Sequence, residues 1–144
     1  ILENDWGVMS HIWSVRSFNE ITREAQKTDR ENLYSNSKTI KVPFITKCFS
    51  KSKGPVIAAT DYMRNYAEQI RKYVPLRYEV LGTDGFGRSD SREALRDFFE
   101  VDRNHIVIAA LKALTEKQEI EKSVLLGAIK KYKIMNDKPN PVSL

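Results

Sequence analysis

The sequence predicts an α/β domain built on a parallel sheet covered by helices on both faces. Three observations predict it. Short β-branched and aromatic runs alternate with longer segments whose apolar residues recur at helical spacing. The helical segments open on capping residues and close on Gly or Pro. No repeat divides the 144 residues, a length that suits one core.

The elements follow in chain order. Ile1-Leu2-Glu3-Asn4 reads as the last turn of a helix whose start lies upstream, so the chain is expected to be an N-terminally truncated fragment of a longer one. Gly7 leads into Val8–Val15 (VMSHIWSV), expected to be a mostly buried strand. Ser17 and Glu20 form a capping box for a helix through Ile21 and Ala25 that fades near Asp29 to Asn32. Residues 34–54 turn to Ser, Lys, Asn and Thr, a variable loop holding one short helix: Phe44, Ile45, Cys48 and Phe49 keep helical spacing behind Pro43, which suits a first helical position.

Gly54-Pro55 opens a second strand, Val56–Ala59. Thr60-Asp61 is expected to cap a helix whose stripe is Tyr62, Met63, Tyr66, Ala67, Ile70, Tyr73 and Val74, stopped by Pro75. A third strand, Tyr78–Leu81, runs into the glycine loop Gly82 to Ser91. Asp90 and Glu93 make a capping pair for a helix with an apolar face of Ala94, Leu95, Phe98 and Phe99. Asp102 caps a longer helix carrying Ile106, Val107, Ala110, Leu111 and Leu114, and a last helix holds Val124, Leu125, Ala128, Ile129 and Tyr132. Residues 136–144, with Pro139 and Pro141, are expected to be irregular. The whole of 1–144 is therefore read as a single domain with three strands, a thin sheet that implies at least one more strand upstream of Ile1.

Composition excludes several classes. One cysteine, Cys48, permits no internal disulfide, which fits a reducing cytoplasm, and with His11 and His105 alone it cannot complete a Cys/His zinc site. No apolar run approaches the roughly 20 residues that span a bilayer, so no membrane partner is expected. The net charge of +5, from 24 Lys+Arg against 19 Asp+Glu, is modest and interspersed. Lys47, Lys51 and Lys53 read as a solvated loop rather than a nucleic-acid patch. Aromatics at 10% argue against disorder.

Candidate chemistry centres on the loop with Gly82, Gly85 and Gly87, which follows a strand and precedes a helix, a place where backbone N–H groups can hold an anion. Its G-x-x-G-x-G spacing is not the dinucleotide fingerprint, and no Walker lysine follows. Its plainer reading is a turn in which the glycines supply positive φ, Asp90 caps the next helix and Arg88 makes a contact. Asp61 and Asp84 follow strand ends, the usual ligand edge of such a sheet, and read as turn and cap residues ahead of an acid/base pair. His11 and His105 read as core or interface residues. Cys48 has no paired His, and Ser89 and Ser91 lack a nucleophile elbow.

The runs Asn4–Val8, Trp13–Glu20, Thr60–Met63, Tyr73–Pro75, Leu81–Arg92 (LGTDGFGRSDSR) and Phe99–Asp102, taken in this order, resemble the C-terminal domain of the homodimeric bacterial pyruvate dehydrogenase decarboxylating components, a family of transketolase-like thiamine diphosphate enzymes. The resemblance covers nearly the whole chain; residues 35–53 depart from it most. It implies a three-layer α/β/α transketolase C-terminal-like domain with a mixed sheet of about five strands, three of them in this chain. Missing strands would leave an open sheet edge and uncovered apolar surface, which favours association.

For the parent enzyme the resemblance implies thiamine diphosphate and Mg²⁺ as cofactors, pyruvate as substrate, a homodimer, and a dihydrolipoyl acetyltransferase component as partner. The family holds its cofactor on other domains through a G-D-G motif, which Thr83-Asp84-Gly85 does not reproduce. No catalytic, cofactor or metal residue is therefore expected in this chain. Gly82, Asp84, Gly85, Phe86, Gly87, Arg88, Ser89 and Asp90 carry over as a family-signature loop with a structural or interface role. Two alternatives remain: a stand-alone anion- or nucleotide-binding module using the Gly82–Ser91 loop, and a basic domain that contacts RNA or DNA.

Overall fold

A computed structural model describes residues 1–135 and 137–143. The chain runs α1 (Leu2–Trp6), α2 (Phe18–Leu33), α3 (Phe44–Phe49), β1 (Val56–Ala59), α4 (Asn65–Glu68), a 3₁₀ turn (Arg71–Tyr73), β2 (Tyr78–Leu81), α5 (Arg92–Phe98), α6 (Arg103–Glu116), α7 (Lys122–Lys131) and a second 3₁₀ turn (Pro141–Ser143). β1 and β2 pair in parallel, with Val56 opposite Tyr78 and Ala59 opposite Leu81. Parallel neighbours need a crossover, and α4 with the 3₁₀ turn supplies it.

Side chains alternate across this sheet. Val56, Ala58, Tyr78 and Val80 join Ala25, Ile45, Phe49, Ala67, Ile70, Tyr73 and Val74 in one core between the sheet and α2, α3 and α4. α6 covers the other side of β1. Its outer stripe joins α7 and α1 in a second core of Val107, Leu111 and Ala128, flanked by Trp6, Val124 and Tyr132. The result is three layers, helix on sheet on helix, as expected. Leu111 is fully buried in this second core, and truncating such a side chain costs about 2–5 kcal/mol.

Local chemistry explains most boundaries. α1 ends at Gly7, whose φ of 65° is left-handed and whose N–H returns to the Glu3 carbonyl. The helix turn expected at the N-terminus is thus present, and it is pinned to α7: Trp6 Nε1 donates to the Tyr132 hydroxyl at 2.7 Å, and Lys131 lies 2.8 Å from Asp5. Ser17 caps α2 by accepting from the Glu20 N–H, as the capping box predicts. α2 does not fade at Asp29; it continues to Leu33 because Thr28 and Asp29 are held. Thr28 donates to Glu24, while Lys72 and Tyr73 donate to the Asp29 carboxylate at 2.5 and 3.0 Å and hold its pKa below the usual carboxylate range. Pro43 sits at the N-cap of α3, one residue earlier than expected.

Three expectations fail. Val8–Val15 is not a strand: among the described residues the sheet has two strands, not three. Met9, Ile12 and Trp13 are 78%, 95% and 54% exposed, and among the described residues no segment pairs with this stretch. A strand exists only by pairing, and β propensity without a neighbour leaves extended coil. Second, the helix expected over Tyr62–Val74 is broken into α4 and a 3₁₀ turn. Side chains capture the backbone there: Thr60 Oγ1 accepts from the Tyr62 N–H and Thr46 Oγ1 donates to the Tyr73 carbonyl. Pro75 also forces Val74 into the extended region. Tyr62, Met63 and Tyr66 are consequently exposed, while Ala67, Ile70, Tyr73 and Val74 are buried. Third, the tail is not wholly irregular, since residues 141–143 form a 3₁₀ turn with the Ser143 N–H on the Asn140 carbonyl. Asn136 and Leu144, also part of that expectation, lie outside the described residues.

Candidate functional site

The glycine loop leaves β2 at its C-terminal end and reaches α5. At its root Gly82 is buried against the Tyr62–Arg64 turn: a Cβ there would lie 2.8 Å from the Arg64 nitrogen and 2.8 Å from the Tyr62 carbonyl oxygen. Two hydrogen bonds fix that approach, Thr83 N–H to the Tyr62 carbonyl at 3.0 Å and Thr83 Oγ1 to the Asp61 carbonyl at 2.8 Å. Gly82 is therefore glycine because two backbones touch.

Asp84 turns inward onto Arg64. Its Oδ1 accepts from the Arg64 N–H at 3.0 Å and its Oδ2 lies 3.4 Å from the guanidinium. Gly85 has φ of 110°, and a Cβ would meet the Pro141 carbonyl. Phe86 is 82% exposed, and Gly87 has open space around it. Arg88 stacks its guanidinium 4.2 Å from the centre of the Phe98 ring. Arg88, Ser89, Asp90, Ala94, Leu95 and Phe98 line a concavity of about 340 Å³.

The helix cap is not Asp90. Ser91 Oγ accepts from the Ala94 N–H at 3.2 Å, whereas Asp90 Oδ1 reaches only the Ser91 N–H. Ser91 sits one residue nearer the helix with extended backbone, the geometry a cap needs. On α5, Ala94, Leu95 and Phe98 are half-buried, and only Phe99, just past its end, is buried.

The two aspartates at strand ends are separately engaged. Asp61 caps no helix; it accepts from Arg96 at 3.0 and 3.3 Å, bridging the β1 edge to α5, while Asp84 holds Arg64. Beside the first pair lies a cleft of about 750 Å³ lined by Thr60, Asp61, Arg92, Arg96, Arg103 and Asn104. Sequence reasoning had no signal for the Asp61–Arg96 pair, since 35 residues separate its partners.

The histidines divide. His11 is exposed in coil, because the strand expected to bury it does not form. His105 is half-buried with Nδ1 2.6 Å from Asp102 Oδ1, which also accepts the His105 backbone N–H and caps α6. Asp97 joins them so that three ligand-type atoms lie within 4.8 Å of one another. Asp102 is already committed to His105, and Lys138 lies 3.5 Å from Asp97. Cys48 is a half-buried free thiol in α3.

A diphosphate–Mg²⁺ unit does not fit the residues of the loop. Of its two carboxylates, Asp84 has both oxygens on Arg64 and Asp90 accepts the Ser91 N–H, while Gly85 is closed off by the Pro141 carbonyl. The loop is in contact with the Tyr62–Arg64 turn, α5 and the tail as it leaves β2.

The family model described as the transketolase-like TK C-terminal domain matches residues 1–102. Among curated proteins, the chain is 51% identical over 144 residues to the pyruvate dehydrogenase E1 component of Cupriavidus necator, 100% of this chain and 16% of that protein. It is 50% identical to the Pseudomonas aeruginosa protein of the same name, over 99% of this chain and 16% of that protein. For the Escherichia coli K12 protein of that name the values are 49%, 98% and 16%. The chain thus spans about one sixth of the length of these relatives. Among the described residues no helix is long and apolar enough to cross a membrane.

Proposed function

Because the chain belongs to the transketolase-like TK C-terminal domain family, we propose that it is the C-terminal part of a pyruvate dehydrogenase E1 component and serves assembly rather than chemistry. The parent enzyme decarboxylates pyruvate with thiamine diphosphate and Mg²⁺ and reductively acetylates the lipoyl group of a dihydrolipoyl acetyltransferase component. It does so as a cytoplasmic homodimer. The observation that carries this reading is near-50% identity along the whole chain to proteins of that name.

Two structural features support the assembly role. The signature loop spends its distinctive residues on internal contacts: Gly82 and Gly85 on close backbone approach, Asp84 on Arg64, Arg88 on Phe98. Meanwhile Met9 and Ile12, and the outer half of Trp13, expose large apolar side chains to water, which a larger assembly would cover.

The test uses the full-length enzyme with and without the segment equivalent to residues 1–144. Sedimentation is expected to show the truncated protein as monomer, with pyruvate oxidation lost together with the dimer. A truncated protein that remains a fully active dimer would overturn the assembly role.

A further inference from the structure

The C-terminal tail makes two separate connections, one to the end of α5 and one to the signature loop. Lys138 Nζ donates to the Asp97 carbonyl at 2.5 Å, lies 3.5 Å from the Asp97 carboxylate, and sits 5.9 Å from the centre of the Phe98 ring. Its side chain is only 18% exposed, which is rare for lysine. Asp97 and Phe98 close α5, where a cation complements the helix dipole beside the Glu100 N–H that the Asp97 carbonyl also accepts. Phe98 is the same ring on which Arg88 of the loop rests. Three residues beyond Lys138, buried Pro141 sets its carbonyl against Gly85, and a Gly85 Cβ would also stand 3.4 Å from Val142 Cα.

From these contacts we infer that residues 137–143 are a clasp that holds the Gly82–Asp90 loop onto α5. Phe98 is the shared post: the loop grips it through Arg88 and the tail through Lys138. Gly85 is the point of direct touch, and its positive φ and missing Cβ are what let the tail close down. The loop itself has few backbone bonds beyond Thr83, so its order depends on these side-chain and tail contacts. Drawing the tail away frees the loop, which makes the C-terminus a handle on the most distinctive segment of the domain.

Nitrogen-15 relaxation on the intact 144-residue chain tests this. Amides of residues 85–89 are expected to show order parameters near about 0.85, falling below about 0.6 when residues 137–144 are deleted. Amides of α6 should not change. Lys138→Met keeps the apolar stem and removes the ammonium, and is expected to give an intermediate fall. Gly85→Ala acts from the loop side and should loosen the amide of Val142. If the deletion unfolds the chain, seen as collapse of the α6 signals, these two full-length variants decide. Loop order unchanged in every folded variant, or a loop already below about 0.6 in the intact chain, would overturn the clasp.

Discussion

Tyr78 shows how one residue joins sequence, packing and pH response. It begins β2, is 4% exposed, and donates its hydroxyl to the Ala67 carbonyl at 2.9 Å from inside the core. Arg71 stacks 5.2 Å from its ring and donates to its backbone carbonyl. Burial, with the Glu68 charge as a lesser cause, pushes the phenol pKa well above its ordinary value. A folded pKa above the unfolded one gives stability that is complete below about pH 10 and is lost as pH rises beyond it. Tyr78→Phe removes one of the two hydrogen bonds to the Ala67 carbonyl, which keeps the Ile70 N–H, and should cost about 0.5–1.5 kcal/mol at pH 7. The variant should also lose less stability than the parent chain between about pH 10 and 11. Urea midpoints across that range check both effects; some slope will persist, because burial also raises the pKa of Tyr73. Equal slopes in the two proteins would contradict the burial argument. The sequence placed Tyr78 in a strand, but nothing in it located the hydroxyl's partner eleven residues away.

Among elements, those legible in the sequence carry their own start signals. Ser17–Glu20 opens α2, Asp102 opens α6, and Gly54-Pro55 precedes β1, each within a residue or so of the expectation. Those misread depend on distant partners. Val8–Val15 has strand composition and, among the described residues, no neighbour to pair with, and the Tyr62–Val74 stripe is interrupted by hydroxyls and by Arg71 reaching across to β2. The cap of α5 was misplaced by one residue because Asp and Ser are both good caps, and only backbone geometry chooses between them. Thermal or urea unfolding checks that choice. Ser91→Ala should cost about 1 kcal/mol and Asp90→Ala under about 0.5 kcal/mol; the reverse order would restore Asp90 as the cap.

Over the whole molecule, the three-layer order was readable from alternating periodicity, while the interlocking of its far ends was not. Pro141 against Gly85 and Trp6 against Tyr132 tie the two ends of the chain into the fold through contacts with no sequence spacing to announce them. The glycine loop was legible as a segment, while the internal partners to which Asp84 and Arg88 turn were not. These internal contacts are what the proposed assembly role draws on, with the cofactor left to other parts of the enzyme. Calorimetric titration of the 144-residue chain with thiamine diphosphate in excess Mg²⁺ tests it most directly. No saturable heat is expected up to millimolar cofactor; a one-site isotherm with micromolar affinity would place part of the cofactor site on this chain and contradict the account.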